Sequence, residues 1–205
     1  FVSTNTPGGR IERCTATAMS TTAAIGFQVT NGHLVNCIAS GSGQALGYTL
    51  TTSMATNCVA RGFSGSTGGK GFNLSGGGGG GANDLTNCIA YACYTLFAYA
   101  TNTDIYTCLR NCAGGGAGAG GIFSGINSGQ RPGFITLTAD PFTDAGNGDF
   151  SLNDTAGGGA ILRAAGVPSS FFGLSTSSFA DVGAAQHFAS RGMLPRITMS
   201  GGMGN

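Results

Sequence analysis

One short phrase built on cysteine recurs along the chain at a nearly constant interval, and that interval limits the possible folds more than any other feature. Arg13-Cys14-Thr15-Ala16, Asn36-Cys37-Ile38-Ala39, Asn57-Cys58-Val59-Ala60, Asn87-Cys88-Ile89-Ala90 and Thr107-Cys108-Leu109-Arg110 read as five copies, spaced 23, 21, 30 and 20 residues apart. The long interval holds a glycine-rich stretch at 75–83. Without those nine residues the spacing returns to 21, so the stretch reads as a loop inserted into one repeat. A second phrase keeps step with the first: Gly26-Phe27-Gln28-Val29, Gly47-Tyr48-Thr49-Leu50, Gly71-Phe72-Asn73-Leu74 and Leu96-Phe97-Ala98-Tyr99, with Gly121-Ile122-Phe123-Ser124 continuing the series in a less clear phase. Each alternates apolar with small or polar residues, the period-two pattern of a half-buried strand. No segment carries a sustained helical period.

Short strands repeated about every 21 residues and joined by Gly, Ser and Asn turns predict an all-β fold, a right-handed parallel β-helix (solenoid) of about seven coils. A leucine-rich solenoid has a similar period but needs regularly spaced leucines, which are missing. Coils stack about 4.8 Å apart, the strand spacing of a sheet, so equivalent side chains form columns. Three interior columns are expected: Cys14, Cys37, Cys58, Cys88 and Cys108; Phe27, Tyr48, Phe72 and Phe97; and Asn36, Asn57 and Asn87, whose amides would bond along the axis. If Cys37 faces in, so do Val35 and Ala39. Thr15, Ile38, Val59, Ile89 and Leu109 then face out, one above another, as an apolar stripe that marks a contact surface. Residues 1–166 are assigned to the solenoid and 167–205 to a C-terminal tail. That tail is expected to pack on the solenoid, over the stripe, or on a neighbouring subunit.

The chain has only nine Lys or Arg and eight Asp or Glu among 205 residues. So sparse a charge gives no basic face for nucleic acid and little repulsion between identical copies. No apolar run is long enough for a membrane span. Seven cysteines suit an exported protein, and a chain that opens on Phe1 is expected to be processed or part of something longer. Open coil ends present unpaired backbone groups, and Leu194 and Ile197 lie in an apolar tail able to add a strand to another subunit. The leading expectation is a structural, self-assembling extracellular protein, a homo-polymer forming a filament or appendage by head-to-tail or lateral contacts.

Asp140-Pro141-Phe142, Gly148-Asp149-Phe150-Ser151-Leu152, Ala160-Ile161, Gly166 and Asp181-Val182-Gly183-Ala184-Ala185-Gln186 resemble the closing segment of right-handed β-helix repeat proteins of bacteria and their phages. In that group a D-P-x-F phrase leads to G-D-(F/Y)-x-L, then S-P-A-I-D-x-G, and ends in D-(I/V)-G-A-x-Q. Here Gly157-Gly158-Gly159 precedes Ala160, and Leu162 stands where the group has Asp. The resemblance implies a β-helix architecture and a cell-surface or virion setting. It does not imply one activity, because the group includes polysaccharide lyases, surface-attached proteins and virion appendages.

An alternative function follows from that group: a glycan-binding or polysaccharide-cleaving module, with lyase or glycoside hydrolase chemistry if it is an enzyme. Four residues before the column cysteines stand Arg10, His33, Met54, Asp84 and Asp104, so Asp84 and Asp104 are expected in neighbouring coils, with Tyr91 and Arg110 nearby. Two stacked carboxylates could hold Ca²⁺, as could Asp140, Asp144, Asn147 and Asp149, but both sets read more simply as turn residues. No cofactor and no catalytic residue is assigned. The cysteine spacings fit no zinc knuckle, so no metal site is expected there. Cys93 and Cys112 stand where coil spacing would allow a disulfide, although such a column more often packs as reduced core.

Overall fold

Three parallel sheets run along one axis, and the chain visits them in rotation, one strand in each per coil. The computed structural model describes residues 2–3, 9–20, 24–66, 68–76, 81–99, 107–163, 165–166 and 181–184. The first sheet holds Val2–Ser3, Ile25–Thr30, Leu46–Thr51, Lys70–Ser75, Thr95–Tyr99 and Gly121–Ser124. The second holds the short strands Arg10–Glu12, His33–Val35, Met54–Thr56, Asp84–Thr86 and Cys108–Arg110. The third holds Thr15–Ser20, Ile38–Gly43, Val59–Arg61, Ile89–Tyr91, Ala113–Gly115 and Ile135–Leu137. This is an all-β parallel solenoid. Among the described residues no helix is long and apolar enough to cross a membrane.

The corner between the second and third sheets explains the asparagines. Asn36, Asn57, Asn87 and Asn111 have φ of 53°, 53°, 54° and 46°, and Arg13 takes the same place in the first coil at 53°. Asparagine tolerates this left-handed conformation better than most residues, so the column is a backbone requirement. A chain of bonded amides is not what holds it: both amide atoms of Asn57 are buried without a partner, and Asn111 Nδ2 donates to Ala165 O at 3.2 Å. The corner also resets the alternation. Leu34, Cys37 and Ala39 enter the central core, whereas Val35 is buried outside it.

Register corrects the fifth repeat. Ile89 pairs with Ala113, so Cys112 stacks on Cys88 and the fifth copy of the phrase is Asn111-Cys112-Ala113-Gly114. Cys108 instead pairs with Asp84, on the outer face of the second sheet, in the column of Arg10, His33 and Met54. Leu109 pairs with Leu85 and is fully buried in the central core, so it is not part of an outward stripe. The aromatic column stands as expected and gains a member. Phe27, Tyr48, Phe72 and Phe97 stack with centroids 5.2, 4.6 and 5.2 Å apart, and Phe123 follows at 6.1 Å.

The glycine-rich insertion leaves between the first and second sheets and is pinched at its neck. Gly81 N donates to Gly76 O at 3.0 Å, and Asn83 bridges Ser75 O and Ser53 N.

There are about five coils rather than seven, because regular winding stops at Leu137. Beyond it the chain forms an antiparallel hairpin, Phe142–Asp144 with Asp149–Leu152, then a single turn at Gly159–Ile161. These elements fold back over the outer face of the third sheet. Phe142, Phe150, Leu152, Leu162 and Val182 form a second core with Val59, Ile89, Ala113 and Leu137. Two polar contacts fix the flap: Arg61 to Asp140 at 2.8 Å, and Gly183 N to Asn87 O at 2.7 Å.

Candidate functional site

The flap decides how much of the apolar stripe remains open. Thr15, Ile38, Val59 and Ile89 do stand in one register column, continued by Ala113 and Ile135. Val59 and Ile89 are fully buried beneath the flap, Ile38 is half-buried and Thr15 is exposed. What stays accessible is therefore the N-terminal end of the column. Leu194 and Ile197 lie outside the described residues.

The two ends of the solenoid differ. At the C-terminal end Phe134 packs edge-on against Phe97 and Phe123, with centroids 5.8 and 4.6 Å away. The Arg131 guanidinium lies 4.0 Å above the Phe123 ring and closes the aromatic stack with a cation–π contact. Together they plug the interior. At the N-terminal end Thr15–Ser20 is, among the described residues, the edge strand of the third sheet, bonded on one side to Ile38–Gly43. It carries no charge, and Met19 is 74% exposed. The neighbouring edge, Arg10–Glu12, is guarded by ion pairs of Glu12 with Arg10 at 3.1 Å and Arg13 at 3.7 Å. Charged edges resist pairing and uncharged ones invite it.

Two of the four residues of the glycan reading meet. Asp84 and Arg110 face each other on the second sheet at 3.1 Å, and Asp84 holds the Arg110 guanidinium more firmly charged. Tyr91 belongs to the third sheet, where burial and the nearby Asp140 carboxylate push its hydroxyl up. Asp104 lies outside the described residues, and Asp84 has Cys108 beside it in the next coil. In the 140–149 segment each carboxylate is engaged locally. Asp140 accepts from Phe142 N and pairs with Arg61, Asp144 accepts from Asn147, and Asp149 accepts from Ser151 N. Apart from the Arg61 ion pair, which reaches across to the third sheet, these are turn bonds.

A cleft of about 450 Å³ opens on the second sheet between Arg10, Asn31, Gly32, His33, Thr52 and Met54. His33 Nε2 lies 3.0 Å from Thr56 Oγ1, and burial, with Arg10 beside it, lowers the imidazole pKa. Sequence reasoning passed over Asn31 and Thr52. Both take positive φ, 54° and 50°, at the corner between the first and second sheets, so they mark a second turn column.

The cysteines are free thiols. Cys93 and Cys112 are not joined: Cys112 stands in the main column, whereas the chain around Cys93 bonds to Phe63 and Gly118 in a different one. Burial holds the Cys58 and Cys88 thiols far up and pushes Cys93 up to about 12, so each stays protonated near neutral pH and any attack by it is slow. Comparison with protein-family models, curated proteins and solved structures finds no match to this chain.

Proposed function

We propose that the protein is a structural, self-associating component of an extracellular assembly, joined copy to copy through the open edge of its first coil. The observation that carries this reading is the Thr15–Ser20 strand: six residues, uncharged, hydrogen-bonded on one side among the described residues, and bearing an exposed methionine. A second copy offering the same strand satisfies the unpaired backbone groups and covers Met19. Sparse surface charge adds no barrier. The resemblance of the 140–186 segment to bacterial and phage surface proteins supports a location outside the cell or on a virion.

Light scattering at micromolar concentration tests it. The expected result is a dimer or larger species that Met19→Lys or Thr17→Pro reduces to monomer. Alternation along the strand sends Cys14 O to Ile38 N and so points the Thr17 amide at the open side, where proline removes a donor without breaking the existing ladder. A monomeric wild-type protein at that concentration overturns the proposal.

Glycan binding remains a second reading because of the Arg10–His33–Met54 cleft, whose volume suits a sugar ring or two. Its test is an array of neutral and acidic glycans. Binding lost in Arg10→Ala supports it, and no binding to any glycan removes it.

A further inference from the structure

The five stacked cysteines form a line, and only one end of it is accessible. Ile38 N, Val59 N, Ile89 N and Ala113 N donate to the carbonyls of Cys14, Cys37, Cys58 and Cys88 at 2.8–2.9 Å, which fixes each cysteine one coil above the last. One coil is about 4.8 Å, inside the Cα separation a disulfide tolerates. Each inner thiol donates to a backbone carbonyl of its own coil, Cys37 to Val35 O, Cys58 to Thr56 O, Cys88 to Thr86 O and Cys112 to Arg110 O, at 3.4–3.6 Å, so the sulfurs repeat one orientation from coil to coil. Cys37, Cys58, Cys88 and Cys112 are fully buried, while Cys14 is partly exposed at the open end of the solenoid.

We infer that the column is a thiol–disulfide exchange line, opened at Cys14 by a low-molecular-weight disulfide and able to pass the bond inward from coil to coil. The Cys14 thiolate attacks the small disulfide, forming a mixed disulfide and releasing one small thiol. Cys37 then attacks the Cys14 sulfur. The Cys14–Cys37 bond forms, the second small thiol leaves, and it takes the Cys37 proton. The net change is two cysteine thiols oxidised and one small disulfide reduced to two thiols. Each later hop is redox-neutral: Cys58 attacks Cys37, the Cys37–Cys58 bond replaces Cys14–Cys37, and Cys14 recovers the proton that Cys58 gives up. Attack on a disulfide proceeds through a mixed intermediate set up by access and alignment, and a stacked column supplies the alignment. Five thiols hold at most two disulfides, so one thiol is always free to move the bond. The neighbouring Cys58 thiol and then burial keep the Cys37 thiol protonated, so the second step is slow.

The test treats the native full chain with oxidised glutathione, quenches with acid, alkylates and maps disulfides by mass spectrometry. The expected products are neighbour pairs in the column, Cys37–Cys58 among them, while the half-exposed Cys108 stops at its glutathione adduct for want of a neighbouring thiol. Cys14→Ser slows every inner pair by roughly tenfold or more. Cys58→Ser confines the disulfide to Cys14–Cys37 and leaves Cys88 and Cys112 reduced. Inner pairs forming in Cys14→Ser at the wild-type rate overturn the inference, as does Cys88–Cys112 in Cys58→Ser, or a Cys14 adduct that never resolves.

Discussion

Gly183 lies flat against Ile89: a β-carbon at position 183 would stand 2.6 Å from Ile89 Cδ1, and the backbone there has φ of 109°. Glycine is required on both counts, for space and for conformation. This contact seats the end of the flap on the third sheet, beside the bond from Gly183 N to Asn87 O. Gly183→Val is expected to cost about 3 kcal/mol through strain and overpacking. Calorimetry should show Tm lower by roughly 6–12 °C; an unchanged Tm would mean that the flap is not seated through this residue.

Tyr48 is the one phenol in a column of phenylalanines. Its hydroxyl lies 2.7 Å from Cys37 O and 3.0 Å from Val59 O, sharing one proton between two buried carbonyls. Cys37 O keeps its bond from Val59 N when the phenol is removed. Tyr48→Phe should therefore lose only about 1 kcal/mol, whereas Tyr48→Ala opens a void between Phe27 and Phe72 and should lose about 3–5 kcal/mol. Urea denaturation of the two variants gives both values, and equal losses would contradict the packing account.

Asn57 separates backbone conformation from side-chain bonding. Its φ is 53° and its buried amide has no partner. Asn57→Gly should be nearly neutral, because glycine takes positive φ freely, while Asn57→Ala should cost about 1–2 kcal/mol. If Asn57→Gly is the more damaging change in thermal melts, the amide has a role that φ does not explain.

The coil, the aromatic column and four of the five column cysteines were legible because a parallel solenoid repeats its side-chain pattern at each turn. The fifth cysteine was misread because Thr107-Cys108-Leu109-Arg110 imitates the phrase, while Asn111-Cys112-Ala113-Gly114 preserves its asparagine and its small interior residue. Asn111 at a corner φ of 46° was the stronger signal. The fate of the stripe was not legible. Whether Val59 and Ile89 meet a partner or their own chain depends on where Phe142, Phe150 and Leu162 return, and no local pattern encodes that contact. The asymmetry of the ends was hidden for the same reason, since Phe134 carries no repeat phase.

His33 gives the cleft a pH signature. Its folded pKa lies below the ordinary value of 6.5, chiefly from burial and then from Arg10, with Glu12 opposing. The unfolded chain takes up the proton first as pH falls, so acid favours unfolding. The stability associated with this group is complete above about pH 6.5 and declines below it, down to the lowered folded value. His33→Gln should flatten the pH dependence of Tm just below about pH 6.5. An identical slope in the variant would place the effect elsewhere.

The proposed joining of copies through the first-coil edge predicts a closed pair. On that proposal, two copies meeting through Thr15–Ser20 around a twofold axis would leave both plugged ends outward, and growth would stop at a pair. Phe134 and Arg131 are what keep the far end shut, by filling the interior and covering the Phe123 ring. The double variant Phe134→Ala, Arg131→Ser uncovers that end and exposes aromatic surface on each outer face of the pair. The expected outcome is longer species, seen as elongated particles by electron microscopy and as a concentration-dependent rise in scattering mass. Adding Met19→Lys to the double variant separates the two contacts. If the first-coil edge is the joining surface, the triple variant yields shorter species than the double, and equal lengths would mean that assembly runs through another face.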